Sequence, residues 1–120
     1  MKLSKERAIQ MHRRMWKWIA LKSRKEKRCI YKDEFPYFKN ERIRDLCFCC
    51  EYADQTRPNV CADLHRICMY CPINWGSNRS CSEDHGLFEK WIGAIRDNRW
   101  RKAARIAMKI SKLPERKGEI

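Results

Sequence analysis

Two Cys-x-x-Cys pairs, Cys47/Cys50 and Cys68/Cys71, constrain this 120-residue chain more than any other feature. Seventeen residues separate Cys50 from Cys68. A Cys-x-x-Cys turn presents two thiolates to one ion, and zinc takes four soft ligands in a tetrahedron. Two such turns at about 15–20 residues' separation have the spacing of a structural zinc ribbon or knuckle pair. The expectation is a structural Zn(2+) held by Cys47, Cys50, Cys68 and Cys71, with disulfides as the lesser alternative. Cys49 reads as a spare thiol behind the ligands, and Cys29 has no close partner in sequence. A second pattern repeats one spacing, Cys61-x-x-x-His65 and Cys81-x-x-x-His85. On helices these pairs would each face one way and could form a second, two-cysteine, two-histidine site. The alternative is that they are separately packed residues, or that one replaces a ligand of the first site.

At this length the chain fits a single domain, 1–120. Charged residues make up 36% of it, so its apolar core should be modest and a metal would add stability that packing lacks. The net charge is +13, and the ends carry it: +9 over residues 1–28 and +7 over 96–117, against −2 over 29–95 and −1 from Glu119. No apolar run resembles a secretory leader or reaches membrane-spanning length. A reducing cytoplasm with metal-bound thiolates is therefore the expected setting.

Ser4 is a plausible cap for a basic amphipathic helix within 1–28. At 100° per residue Ala8, Ile9, Met11, His12, Met15, Trp16, Ile19 and Ala20 share one face, with Gln10, Arg13, Arg14 and Lys17 opposite. His12, in mid-stripe, reads first as a hydrogen-bonded core histidine. The charge run 24–28 reads as a solvated helix end. Residues 29–46 suggest an irregular connection packed by Phe35, Tyr37 and Phe38. Region 47–85 is the Cys/His metal segment, in which Trp75 could lie over the site. Residues 86–113 form a helix pair, and 114–120 a tail. Ser82 to Asp84 would cap the first of that pair, whose apolar face is Leu87, Phe88, Trp91, Ile92 and Ile95. Asp97 or Asn98 would cap the second. Its apolar side is Trp100, Ala103, Ala104, Ala107, Ile110 and Leu113, and its other side a stripe of Arg101, Arg105, Lys109 and Lys112.

That stripe lacks acids. Arg101–Arg105 and Arg105–Lys109 are like-charge i, i+4 pairs, each costing roughly 0.2–0.5 kcal/mol. Helix stability alone would interleave glutamates; their omission suits an anionic partner, most simply nucleic-acid phosphates. An acidic protein surface would satisfy the same charges. No sequence motif for base readout is present, so the phosphate term alone implies salt-dependent, weakly specific binding. Asp84-His85 resembles the Asp-His pair of HNH nucleases, but there the pair lies between the zinc half-sites. Here it follows both Cys-x-x-Cys pairs, with no later histidine.

The strings CFCCEYA, CMYCPINWG and FEKW, the closing A-x-x-x-I-S-K-L-P-E-R and the opening RAIQMHRRMWKWIA together resemble a group of small cysteine-rich proteins. These are encoded by phages and prophages of Gram-positive bacteria. The resemblance covers most of the chain and supports Cys47, Cys50, Cys68 and Cys71 as ligands. It implies a phage accessory role in the host cytoplasm and supplies no mechanism. The combined expectation is a mainly α (small α+β) domain, a long N-terminal helix and a C-terminal helix pair around a zinc-ribbon-like centre. Its function would be non-enzymatic nucleic-acid binding through Arg13, Arg14, Lys17, Arg101, Arg105, Lys109 and Lys112. The rival is a phage inhibitor or adaptor docked on an acidic host protein of defence, transcription or replication. An HNH-like nuclease is the remote alternative.

Overall fold

Helix α1, Lys5–Glu26, begins where the sequence places its start. Ser4, in extended conformation, accepts the Arg7 N–H with its hydroxyl at 3.1 Å, satisfying one orphan donor of the first turn. It ends at Lys27, whose φ of 54° lets its N–H reach the Ser23 carbonyl. The computed structural model describes residues 3–41, 46–56, 71–75 and 86–115. Within them follow two 3-10 turns, Lys32–Glu34 and Pro36–Lys39, and helices α2 (Phe48–Thr56), α3 (Leu87–Arg96) and α4 (Trp100–Ser111). The fold is mainly α. Among the described residues the β component is a single bridge, antiparallel, between Ile73 and Glu115.

All eight residues assigned to the apolar face of α1 are buried. That face packs most extensively on α4 and then on α2, while α3 packs on α4. Ala8 and Ala20 of α1, and Ala103, Ala104 and Ala107 of α4, are almost wholly buried. Small side chains allow two helices to approach closely without voids. Ile106, missing from the expected stripe of α4, is also buried.

Two aromatic clusters fix the remaining elements to α1. Trp16 meets Trp91 of α3 edge-on at 4.8 Å and Phe88 at 6.1 Å. Trp18, at the half-buried edge of α1, meets Phe35 at 5.5 Å, and Phe35, Tyr37, Phe38 and Phe48 pack together beyond it. Each such ring pair contributes about 0.5–1.5 kcal/mol beyond the area it buries. Phe48 is the first residue of α2, so this second cluster sets where that helix begins.

Both expected caps of the C-terminal pair are corrected. The described start of α3 has Gly86 as its cap, not Ser82 to Asp84, which lie outside the described residues. Helix α4 is preceded by Arg99, with no side-chain cap. Asp97 instead closes α3 by donating its N–H to the Gly93 carbonyl, and Asn98 takes a left-handed φ of 57°. Asn tolerates that region better than most residues, so these two residues turn the chain and do not start the next helix.

Candidate functional site

The first Cys-x-x-Cys pair is carried on a helix N-terminus, which departs from the ribbon geometry the spacing suggests. Leu46, at a φ of 50°, turns the chain into α2. Cys47 then takes the capping position: its carbonyl accepts the Glu51 N–H at 3.0 Å and its Sγ accepts the Cys50 N–H at 3.3 Å. A thiol thus does what serine does at Ser4. Phe48, fully buried in the aromatic cluster, anchors the turn between Cys47 and Cys49.

Several groups act on the Cys47 thiol. A hydrogen bond from the Cys50 side chain holds it well below the ordinary thiol range; burial opposes this, while the adjacent His12 ring and the Lys32 charge reinforce it. Cys71 is also held low, chiefly by hydrogen bonding with Cys49 and against its burial and the nearby Cys47 charge; the Ile73 backbone and the Trp75 indole contribute further. Anionic character at cysteines under such influences is what metal binding uses. Cys47 and Cys71 are therefore close enough to feel one another's charge. Cys29 is different: it is buried in the core, and burial alone pushes its thiol up.

The second half of the centre, residues 71–75, is pinned from behind. Ile73 bridges Glu115, and Asn74 donates its N–H to the Pro114 carbonyl at 2.9 Å. Trp75 is buried and meets the His12 ring edge-on at 5.7 Å. His12 is 0% exposed, and neither ring nitrogen has a hydrogen-bond partner among the described residues. It lies beside Cys47, but not in the geometry of a hydrogen bond. The satisfied core histidine expected from the sequence is not what the fold contains.

The structure therefore brings together Cys47, Cys50 and Cys71 of the expected ligand set, and adds Cys49 and His12. No disulfide joins any two of Cys29, Cys47, Cys49, Cys50 and Cys71. Among the described residues no group of three or more His, Cys, Asp or Glu side chains is arranged to hold a metal ion. Cys68, the possible second set Cys61, His65, Cys81 and His85, and Asp84 of the nuclease comparison lie outside the described residues.

The basic surface is built on α1 and α4. Arg101, Lys102, Arg105, Lys109 and Lys112 are exposed, as are Arg13, Arg14 and Lys17. The ion pairs among the described residues are Lys5–Glu115, Lys22–Glu26, Arg28–Glu26 and Arg28–Glu34. None involves the expected binding residues. Arg13 is partly committed, donating to the Leu113 carbonyl at 3.2 Å. That hydrogen bond brings the basic side of α1 to the end of α4, next to Lys112. At the other end of α4, Asn98, Arg99, Trp100, Arg101, Lys102 and Arg105 line an open hollow of about 430 Å³. The Arg101 guanidinium lies over the Trp100 ring, 5.1 Å from its centroid.

These features define a helical scaffold with a buried thiol and imidazole cluster and cationic outer faces. The chain matches no family model, no curated protein and no solved structure. No helix among the described residues is long and apolar enough to cross a membrane.

Proposed function

We propose that this protein is a non-enzymatic, zinc-stabilised accessory protein that binds nucleic acid through the basic faces of α1 and α4. One observation carries the reading. Helix α4 contains no acidic residue and, with the residue that follows it, exposes Arg101, Lys102, Arg105, Lys109 and Lys112, none ion-paired among the described residues. The like-charge spacing costs helix stability, and phosphates along a nucleic-acid backbone would offset that cost. The hollow at residues 98–105 adds a ring, Trp100, among the cations, a pairing that suits a base stacked beside its phosphate.

The zinc is structural in this reading, held by Cys47, Cys50 and Cys71 with Cys68 as the fourth ligand that the spacing suggests. The low-lying Cys47 and Cys71 thiols suit such an ion. The resemblance to phage-encoded proteins makes the host cytoplasm the setting of this reading.

A gel-shift titration of purified protein with duplex and single-stranded oligonucleotides, over a range of salt, tests the reading. The expected result is retention that weakens steeply with salt. The logarithm of affinity should fall against the logarithm of salt with a slope of about −0.9 per phosphate neutralised on duplex. No retention at low salt, with an acidic host protein recovered instead, would assign the same surface to a protein partner.

A further inference from the structure

We propose that the hollow at residues 98–105 takes up an unpaired base, so that this protein binds single-stranded nucleic acid in preference to duplex. This inference rests on the nucleic-acid reading above and names the form of that ligand.

The hollow is open and about 430 Å³ in volume, a size that accepts a small planar group. Its wall carries four cations, Arg99, Arg101, Lys102 and Arg105, and no acid. All four are exposed, and none is ion-paired among the described residues. Cations crowded in this way repel one another, and phosphate oxygens among them relieve that repulsion. Arginine suits the task, because its fork of N–H donors matches phosphate geometry. A phosphate alone needs no ring, however, and the same wall includes the half-buried indole of Trp100.

The placement of that ring separates the two forms of nucleic acid. In a duplex both faces of each base are covered by neighbouring pairs, and a side chain reaches them only as a projecting wedge that unstacks a step. Trp100 is half-buried in the wall of a hollow and cannot serve as such a wedge. The base must come to the ring, which an unpaired strand permits with no pairing to break. The Arg101 guanidinium lies over the ring, 5.1 Å from its centroid. At a solvated site such a contact is weaker than a base stacked on an aromatic side chain. The base therefore takes the guanidinium's place and frees it for the adjoining phosphate.

From the hollow the strand has a path. Arg105, Lys109 and Lys112 continue along the exposed side of α4, rising about 1.5 Å per residue, or roughly 10 Å from first to last. This row supplies phosphate contacts open to any nucleic acid. The hollow supplies the part that depends on a base.

Equilibrium binding of labelled oligomers to the full-length protein, at one low salt concentration, tests the proposal. Three probes of equal length are compared: a single-stranded thymidine oligomer, the same backbone with its bases removed, and a duplex. The unaltered protein should bind the thymidine strand about 10-fold more tightly than the duplex. It should prefer the thymidine strand to the abasic one by about 10- to 100-fold, the gain from a stacked base. Trp100→Ala should bind the thymidine and abasic strands alike, and Trp100→Phe, which retains a ring, should recover most of the difference. Equal affinity of the unaltered protein for those two strands overturns the proposal, whether or not the alanine variant folds, and leaves the nucleic-acid reading standing. So does a duplex bound as tightly as the thymidine strand, or a preference for bases that survives in Trp100→Ala. No binding of any probe overturns both.

Discussion

Along α1 and α4 the buried side chains are largely Ala, Ile and Met, and their helical hydrogen bonds need nothing from outside the element. Around Cys47 the buried groups are of a different kind: sulfur, imidazole and indole, with the imidazole unpartnered among the described residues. The first region is stabilised by removing apolar surface from water, at about 25 cal/mol per Å². The second buries polar atoms that such packing cannot satisfy. Packing accounts for a helix pair of the first kind, whereas a centre of the second kind would gain stability from anything that binds its donors. The sharpest way to break this contrast is to remove the proposed metal.

Chelation, or Cys47→Ala, should produce the largest change. Hydrogen exchange should show diminished protection in α2 and at 71–75 while α1 and α4 keep much of theirs. Apparent stability should fall by several kcal/mol, up to the roughly 10 kcal/mol that a structural zinc supplies. If the melting profile and exchange pattern are unchanged, the centre needs no ion and the contrast disappears. Next in size are the aromatic anchors. Trp16→Ala and Phe48→Ala both remove fully buried rings and should each cost about 3–5 kcal/mol. They differ in what else they alter. Phe48 lies between Cys47 and Cys49, so its loss should also weaken zinc binding, whereas Trp16→Ala should act mainly on stability. Equal zinc affinities in the two variants would mean that the aromatic cluster does not position the thiols.

The outer faces give a third comparison. Arg101→Glu with Arg105→Glu should lower nucleic-acid affinity about 10- to 100-fold at fixed salt, and the salt slope should shrink by about 1 for every phosphate no longer neutralised. Folding stability should stay within about 0.5 kcal/mol, because the double change makes the 105/109 i, i+4 pair opposite in charge while positions 101 and 105 stay like-charged. A drop in affinity accompanied by a matching drop in stability would mean that the pair supports the fold and not the ligand.

How far the sequence discloses each region follows from the same contrast. The period of 3.6 residues reveals α1 and α4 because one face of each is buried and the other solvated, and Ser4 announces its helix with a hydroxyl acceptor. The caps of α3 and α4 escape sequence reasoning because Gly86 and Arg99 offer no side-chain acceptor, whereas Asp97 and Asn98 look like caps and serve as a turn. Cys47 as a helix cap, and the turn at Leu46, are invisible to spacing rules, which treat Cys-x-x-Cys as a unit whatever carries it. His12 is hidden by its own helix: at mid-stripe it reads as core, and only the fold brings it to Cys47, thirty-five residues later in sequence. Its one hint in the sequence is an imidazole amid Met, Ile and Trp in a chain rich in cysteine. The bridge between Ile73 and Glu115 joins segments too distant for any local pattern.

Smaller effects test whether α1 is as self-sufficient as the contrast requires. Ser4→Ala removes the acceptor for the Arg7 N–H and should cost about 1 kcal/mol, read from urea unfolding, with zinc affinity unchanged. A marked drop in zinc affinity instead would show that the start of α1 and the metal centre are one cooperative unit.

The smallest expected effect lies where α1 leads into the rest of the chain. Glu34 accepts from the Arg28 guanidinium at 2.7 Å and from the Tyr31 N–H at 2.7 Å. Partial burial raises its carboxyl, but these two hydrogen bonds and the Arg28 charge outweigh it and hold the group below the ordinary carboxylate value. A group whose value is lower in the folded chain stabilises it above the unfolded value, about 4.3 for glutamate. That contribution disappears as pH falls through the folded value. Glu34→Gln should therefore cost up to about 1 kcal/mol at pH 7, since the pair is largely exposed. The difference from the unaltered protein should close below about pH 4. Acid would also release a zinc held as proposed, because thiolate ligands must be deprotonated, but that effect would be common to both proteins and cancel in their difference. A difference that persists in acid would assign the effect to the Tyr31 N–H, whose acceptor a glutamine holds less well, and not to the ion pair.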